Sequence, residues 1–142
     1  MCNASNEQAA ESIFDNVIST YTRAQAIEDG VLIDASNMAR EAGFKWPVAL
    51  TAGAWADCVA WSEDDTERQI PQDELGRLWD VLLMASHAIR SSKVSGDRLL
   101  FQLDRVPRDG HSTRAVLVTL KLIVGPGDSG EPVITILHPH ED

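Results

Sequence analysis

Apolar side chains change their period once along this chain, and that change limits the folds open to it. Between Asp73 and Arg90 they recur at helical spacing, as Leu75, Leu78, Trp79, Leu82 and Ile89, with Ala85 and Ser86 between them. From Leu99 onward they recur at every second residue, as Leu99, Phe101 and Leu103 and then Val116, Val118, Leu120, Leu122 and Val124. A helical first part followed by a strand-rich last part is the pattern of an α+β domain.

The details sharpen that expectation. Residues 73–91 predict one long helix, with Asp73 and Glu74 at its positive end and Arg90 at its negative end. Pro107-Arg108-Asp109-Gly110 and the stretch from Gly125 to Gly130 are turn sequences. They divide the last third into three strands, the third being residues 133–137. The long central run has Leu117, Thr119, Lys121 and Ile123 on its second face. The predicted fold is therefore α+β, with several short helices and one long amphipathic helix packed on a C-terminal three-stranded antiparallel sheet. Such a sheet needs its apolar face covered.

Upstream, residues 1–12 are polar and read as a disordered leader, so that a single domain spans 13–142. Residues 13–18 form a short apolar segment, read as a strand or an extended lead-in. Thr22 and Gln25 make a capping box for a short helix that Gly30 ends. Val31, Leu32 and Ile33 read as a strand or a connection. Ser36 is expected to cap a second helix stopped by Gly43. Pro47 keeps residues 44–50 extended. Thr51 caps a third helix carrying Trp55, Cys58 and Val59 on one face and ending near Trp61. Residues 62–73 read as a polar loop.

Charge is distributed unevenly. Residues 1–75 hold 14 acidic and 4 basic side chains, and residues 76–142 hold 8 of each, so the whole net charge of −10 lies in the first half. Direct binding to a nucleic-acid backbone is disfavoured, because phosphate contact needs surplus Lys and Arg. A basic protein surface is favoured. The acidic loop residues Glu63, Asp64, Asp65 and Glu67, together with the aromatics Trp61 and Trp46, are the candidate partner-binding residues. Arg98, Arg105, Arg108 and Arg114 surround the first β turn and are expected to pair locally with Asp97, Asp104 and Asp109.

Motifs for catalysis are missing. There is no G-x-S-x-G, H-E-x-x-H or P-loop. Cys2 and Cys58 are too sparse for a disulfide framework and fit a reducing compartment. His87, His111, His138 and His140 show no zinc spacing, and a His-Pro-His-Glu-Asp tail is a poor preorganised metal site, so no cofactor or metal is expected. No apolar run approaches the roughly 18 residues that span a bilayer. The start of the chain lacks the basic and apolar regions of a signal peptide, so the chain reads as cytoplasmic, without membrane contact.

Several stretches resemble a family of short uncharacterised bacterial proteins associated with plasmids, phages and other mobile elements: YTRAQAIEDG (21–30), PVALTAGAWADCVAW (47–61), GRLWDVL (76–82), RVPRDG (105–110) and LVTLKLIVGPGDSGEPVITI (117–136). The resemblance runs from about residue 13 onward and carries no catalytic residues. It implies a non-enzymatic acidic protein-binding module of mobile-element origin, whose partner is a basic protein or nucleoprotein of host defence or nucleic-acid handling. Two other readings compete. One is a small enzyme or small-molecule binder with a site near Tyr21, Arg23 and Trp46. There the strand–helix–Gly–strand pattern is similar to the opening of ADP-ribosyltransferase-like folds, with Glu131 as the late carboxylate. The other is a homo-oligomer formed through an exposed edge strand, since the sheet has two edges and the last one shows no clear protecting device.

Overall fold

The computed structural model describes residues 21–93 and 95–141. The leader, residues 13–18 and Cys2 lie outside the described residues. Among the described residues, helices α1 (Arg23–Glu28), α2 (Ser36–Glu41), α3 (Ala52–Cys58), α4 (Glu63–Arg68) and α5 (Glu74–Ser91) alternate with strands β1 (Leu32–Asp34) and β2 (Val48–Thr51) and precede β3 (Arg98–Arg105), β4 (Val116–Pro126) and β5 (Pro132–Leu137). None of the described helices is long and apolar enough to cross a membrane.

The strands form one five-stranded mixed sheet in the order β1-β2-β5-β4-β3. This corrects the three-stranded antiparallel expectation. The meander β3-β4-β5 is present, with antiparallel pairing through both turns. It is extended by β2, which runs parallel to β5, and by β1, which pairs antiparallel with β2. β5, expected as one of two edges, is therefore interior. The edges are the three-residue β1 and the eight-residue β3. The sheet was underestimated because β2 has only four residues and does not alternate. Val48, Ala49 and Leu50 are all fully buried, as in a strand covered on both faces.

One face of the sheet holds the core. Val48, Leu50, Phe101, Leu103, Leu120, Leu122, Ile134 and Ile136 meet Ala39 of α2 with Ala35 and Ala42 at its two ends, Ala54 and Cys58 of α3, and the inner stripe of α5. That stripe is Leu78, Val81, Leu82 and Ala85, an i, i+3, i+4, i+7 set. Leu75 and Ile89, expected on it, are exposed. The opposite face carries Ala49, Thr135, Leu137 and Lys121, which the register places side by side. There Arg23 of α1 donates to Thr135 Oγ1 (2.8 Å) and to the Ile134 carbonyl (2.6 Å). The C-terminal residues close the same face, with Lys121 Nζ donating to the carbonyls of Pro139 (3.2 Å) and Glu141 (2.7 Å).

Local signals account for the helix boundaries. Thr22 and Gln25 form the reciprocal capping box of α1, and Gly30, at φ 79°, takes the left-handed conformation that releases the chain into β1. Thr51 caps α3 and Asp73 caps α5. Three expectations change. Ser36 is not a cap: it is the first residue of α2, and its hydroxyl donates to Asp34 Oδ1 (2.6 Å). α3 ends at Cys58, before Trp61. Residues 62–73 are not all loop, because Ser62 and Asp65 make a second capping box that starts α4. Asp65, the third helical residue, can play the Glu/Gln part of that box, and the first-turn acids Glu63 and Asp64 favour the helix dipole.

Candidate functional site

The acidic residues singled out from sequence divide into two sets. Glu63, Asp64 and Glu67 are exposed on α4, with Asp64 paired to Arg68 one turn on (3.0 Å). Asp65 is buried. It accepts from the Ser62 backbone and hydroxyl and from Arg108 Nε at 2.7 Å. Burial alone would raise its pKa, but the Ser62 and Arg108 hydrogen bonds outweigh that and hold it below the ordinary carboxylate value. Asp65 is thus committed to the fold, tying α4 to the segment after β3.

Trp61 is also interior. Its indole Nε1 donates to Thr66 Oγ1 (3.1 Å), and its ring lies under the Arg77 guanidinium. Arg77 is buried and donates to the carbonyls of Val59, Val106 and Asp57 and to Gln72 Oε1. Arg105 and Arg108 do not pair with Asp97, Asp104 or Asp109 as expected. They cross to Asp57 (3.0 Å) and Asp65 (2.7 Å). Asp109 instead closes its own turn, accepting from the Ser112 hydroxyl and from the backbone N–H groups of His111 and Ser112. These bonds, the Ser112 hydroxyl first, hold its carboxyl well below the usual range. Gln69 reads the same loop, donating to the carbonyls of Pro107 and Ser112, both at 2.7 Å, and accepting from the Gly110 N–H.

Trp46 is 44% exposed, before β2. It lines a groove with Gly43, Phe44, Lys45, Ile89 and Arg90, so its charged neighbours are basic. Neither Tyr21 nor Arg23 lines that groove. Tyr21 donates its hydroxyl to Asp29 Oδ2 (2.7 Å), which raises its pKa. Arg23 is engaged with β5, and Glu131 folds over Gly127 in the β4–β5 turn, accepting from the Ser129 N–H (2.9 Å). A Cβ on Gly127 would lie 2.6 Å from that carboxylate, so a larger residue there would push the Glu131 side chain aside.

Two concave surfaces combine an apolar floor with carboxylates at the rim. The first, about 380 Å³, lies between α2, α3 and the start of α5. Met38, Trp55, Leu75 and Leu78 line it, with Asp34 and Glu41 as its charged residues. Leu75 is 67% exposed, although it sits on an otherwise amphipathic helix. The second, about 570 Å³, lies on the opposite face over Leu32, Ile123, Thr135 and Leu137, with Asp29 and Glu141 as its charged residues. Glu141 is held there by the Thr51 hydroxyl and the His138 N–H, both at 2.8 Å. Burial works against its ionised form, but these bonds and the nearby histidines leave its pKa lowered. His138 in turn meets Asp57 (3.4 Å) and stacks on His140. Among the described residues no group of three or more His, Cys, Asp or Glu is placed to hold a metal ion.

The first groove was not foreseen. Its signal is present in the sequence only in part: Asp34 and Glu41 bracket α2, and Leu75 falls in the first turn of α5, where its spacing predicts core. Nothing local says that these segments meet.

A five-stranded mixed sheet with helices on its core face and carboxylate-rimmed grooves defines a small α+β domain. The chain belongs to DUF6573, a family of unknown function, whose model matches residues 10–142. No curated protein and no solved structure matches it.

Proposed function

We propose that this chain is a non-enzymatic, acidic protein-binding module of mobile-element origin. In this reading it engages a basic protein or nucleoprotein of the host, such as a defence or nucleic-acid-handling protein. The observation that carries the reading is the groove between α2, α3 and α5, where exposed Leu75 lies beside Met38 and Trp55 and the charged residues are the carboxylates Asp34 and Glu41. An apolar floor with a single sign of charge at its rim suits a basic amphipathic segment, whose apolar side enters while its Lys and Arg meet the rim. Glu63, Asp64 and Glu67 add exposed negative charge on α4 and would raise the association rate through long-range attraction. Trp61 and Asp65 serve the module from within, by holding α4 in place.

The test is capture from nuclease-treated host lysate, eluted by a salt gradient, using the native chain beside the Leu75→Asp and Glu41→Lys variants. A basic protein retained by the native chain, released by moderate salt and lost from both variants supports the reading. A partner retained equally by all three, or one released by nuclease alone, rejects it.

A further inference from the structure

The open edge of β3 lacks several of the devices that keep a sheet edge from pairing. It has eight residues, no proline and no lysine, and it pairs with β4 over eight consecutive positions without a bulge. The other edge, β1, is three residues long. The Val124 N–H donates to the Asp97 carbonyl, which makes the odd-numbered residues of β3 the ones bonded to β4. Arg98, Leu100, Gln102 and Asp104 therefore turn their backbone N–H and C=O groups to the open side. All four are exposed, and Leu100 is 60% so. Asp80, Leu83 and Met84 of α5, with Gln102, Leu103, Asp104 and Leu117, line a shallow groove of about 490 Å³ along this edge.

The charges on the edge are self-complementary. Arg98 and Asp104 share the outer face, near the two ends of the strand, and their β4 neighbours are the apolar Ile123 and Leu117. Among the described residues neither makes an ion pair. If a second β3 runs antiparallel with Phe101 on the two-fold axis, Arg98 of each copy falls opposite Asp104 of the other. The same register sets Leu100 opposite Gln102. It puts the even-numbered residues in the hydrogen-bonded pairs, as their backbone orientation requires. A shift of two residues keeps the backbone bonding but loses the charge match.

We propose that the chain forms a two-fold dimer with a second copy of itself through β3, in the register that pairs Arg98 with Asp104 and joins the two sheets into one. Leu83, Met84 and Leu100 supply the apolar contact. This interface is separate from the groove assigned to a basic partner.

Light scattering and sedimentation of the full chain, with hydrogen exchange at the β3 amides, test it. The native chain is expected at twice the chain mass, with the amides of Leu100, Gln102 and Asp104 protected. Arg98→Glu and Asp104→Arg, each setting like charges opposite one another, are expected to weaken association about tenfold or more. The double variant Arg98→Glu/Asp104→Arg restores the pairing and is expected to restore the dimer. Circular dichroism checks that each variant is folded. A native chain that stays single up to about 100 µM overturns the proposal. So does a dimer indifferent to both single reversals, or one that the double variant fails to recover. Protection of β3 that appears only when another protein is added overturns it too.

Discussion

The Arg77 guanidinium lies over the ring of Trp61, 4.6 Å from its centre, and both groups are buried. Arg77 enters from α5, and Trp61 lies between α3 and α4. Around them Arg77 gathers the carbonyls of Asp57, Val59 and Val106, which belong to the end of α3 and the end of β3. A guanidinium can serve several acceptors at once in fixed geometry, which an ammonium cannot. Arg77 is therefore the knot that joins the helical part of the chain to the sheet.

Replacing Arg77 by Met is expected to leave those carbonyls without donors and to lower stability by about 3 kcal/mol. Lys at this position should recover little of the loss. Urea unfolding followed by tryptophan fluorescence measures both. Equal stability of Arg77→Met and the native chain would show that the knot is dispensable.

The inner stripe of α5 separates two leucines that look alike in sequence. Leu82→Ala opens a cavity in the core and is expected to cost about 3 kcal/mol. Leu75→Ala is expected to change stability by no more than about 0.5 kcal/mol, since the side chain is already exposed. Thermal unfolding of the two variants side by side decides it.

Acid should weaken the fold through Asp65 and Glu141. The folded pKa of each is lowered from its ordinary value, 3.8 for Asp65 and 4.5 for Glu141. A depressed carboxylate pKa stabilises the fold fully above the unfolded value, and that contribution drains away as pH falls through the folded value. Stability is thus expected to be level at neutral pH and to fall below about pH 4.5. Asp65→Asn should flatten part of that fall. A native and an Asp65→Asn chain with parallel stability curves between pH 5 and pH 2 would remove Asp65 from the account.

Cys58 is buried in the core, where desolvation first and the neighbouring Asp57 charge second push its thiol up to about 12. In a Cys2→Ala chain, a disulfide reagent at pH 8 is expected to leave Cys58 unmodified until denaturant is added. Rapid labelling of the folded protein would contradict both the burial and the thiol's protonation.

Much of the local structure was legible because its causes are local. The capping box of Thr22 and Gln25, the caps at Thr51 and Asp73, the left-handed Gly30 and the hairpin from Gly125 to Gly130 each need only neighbouring residues. The second capping box, Ser62 with Asp65, was local too, but three acids in a row, with a fourth at Glu67, read more readily as a solvated loop than as the first turn of a helix.

Local periodicity and turn chemistry, which act over a few residues, were enough for the long α5 and the β3-β4-β5 meander, but not for α4 or for β1. Tertiary structure alone decided the rest. β2 joins β5 in parallel across some 80 residues of chain, through backbone hydrogen bonds that carry no side-chain signature. That one pairing turns a three-stranded sheet into five strands and takes β5 off the edge, leaving β1 and β3 as the edges. Packing likewise decided which of the acidic residues are surface. Asp65 is drawn inward by Arg108, while Asp34, Glu41 and Leu75, far apart in the chain, converge on one groove. Charge and hydropathy are read residue by residue, but burial and convergence depend on long-range contacts.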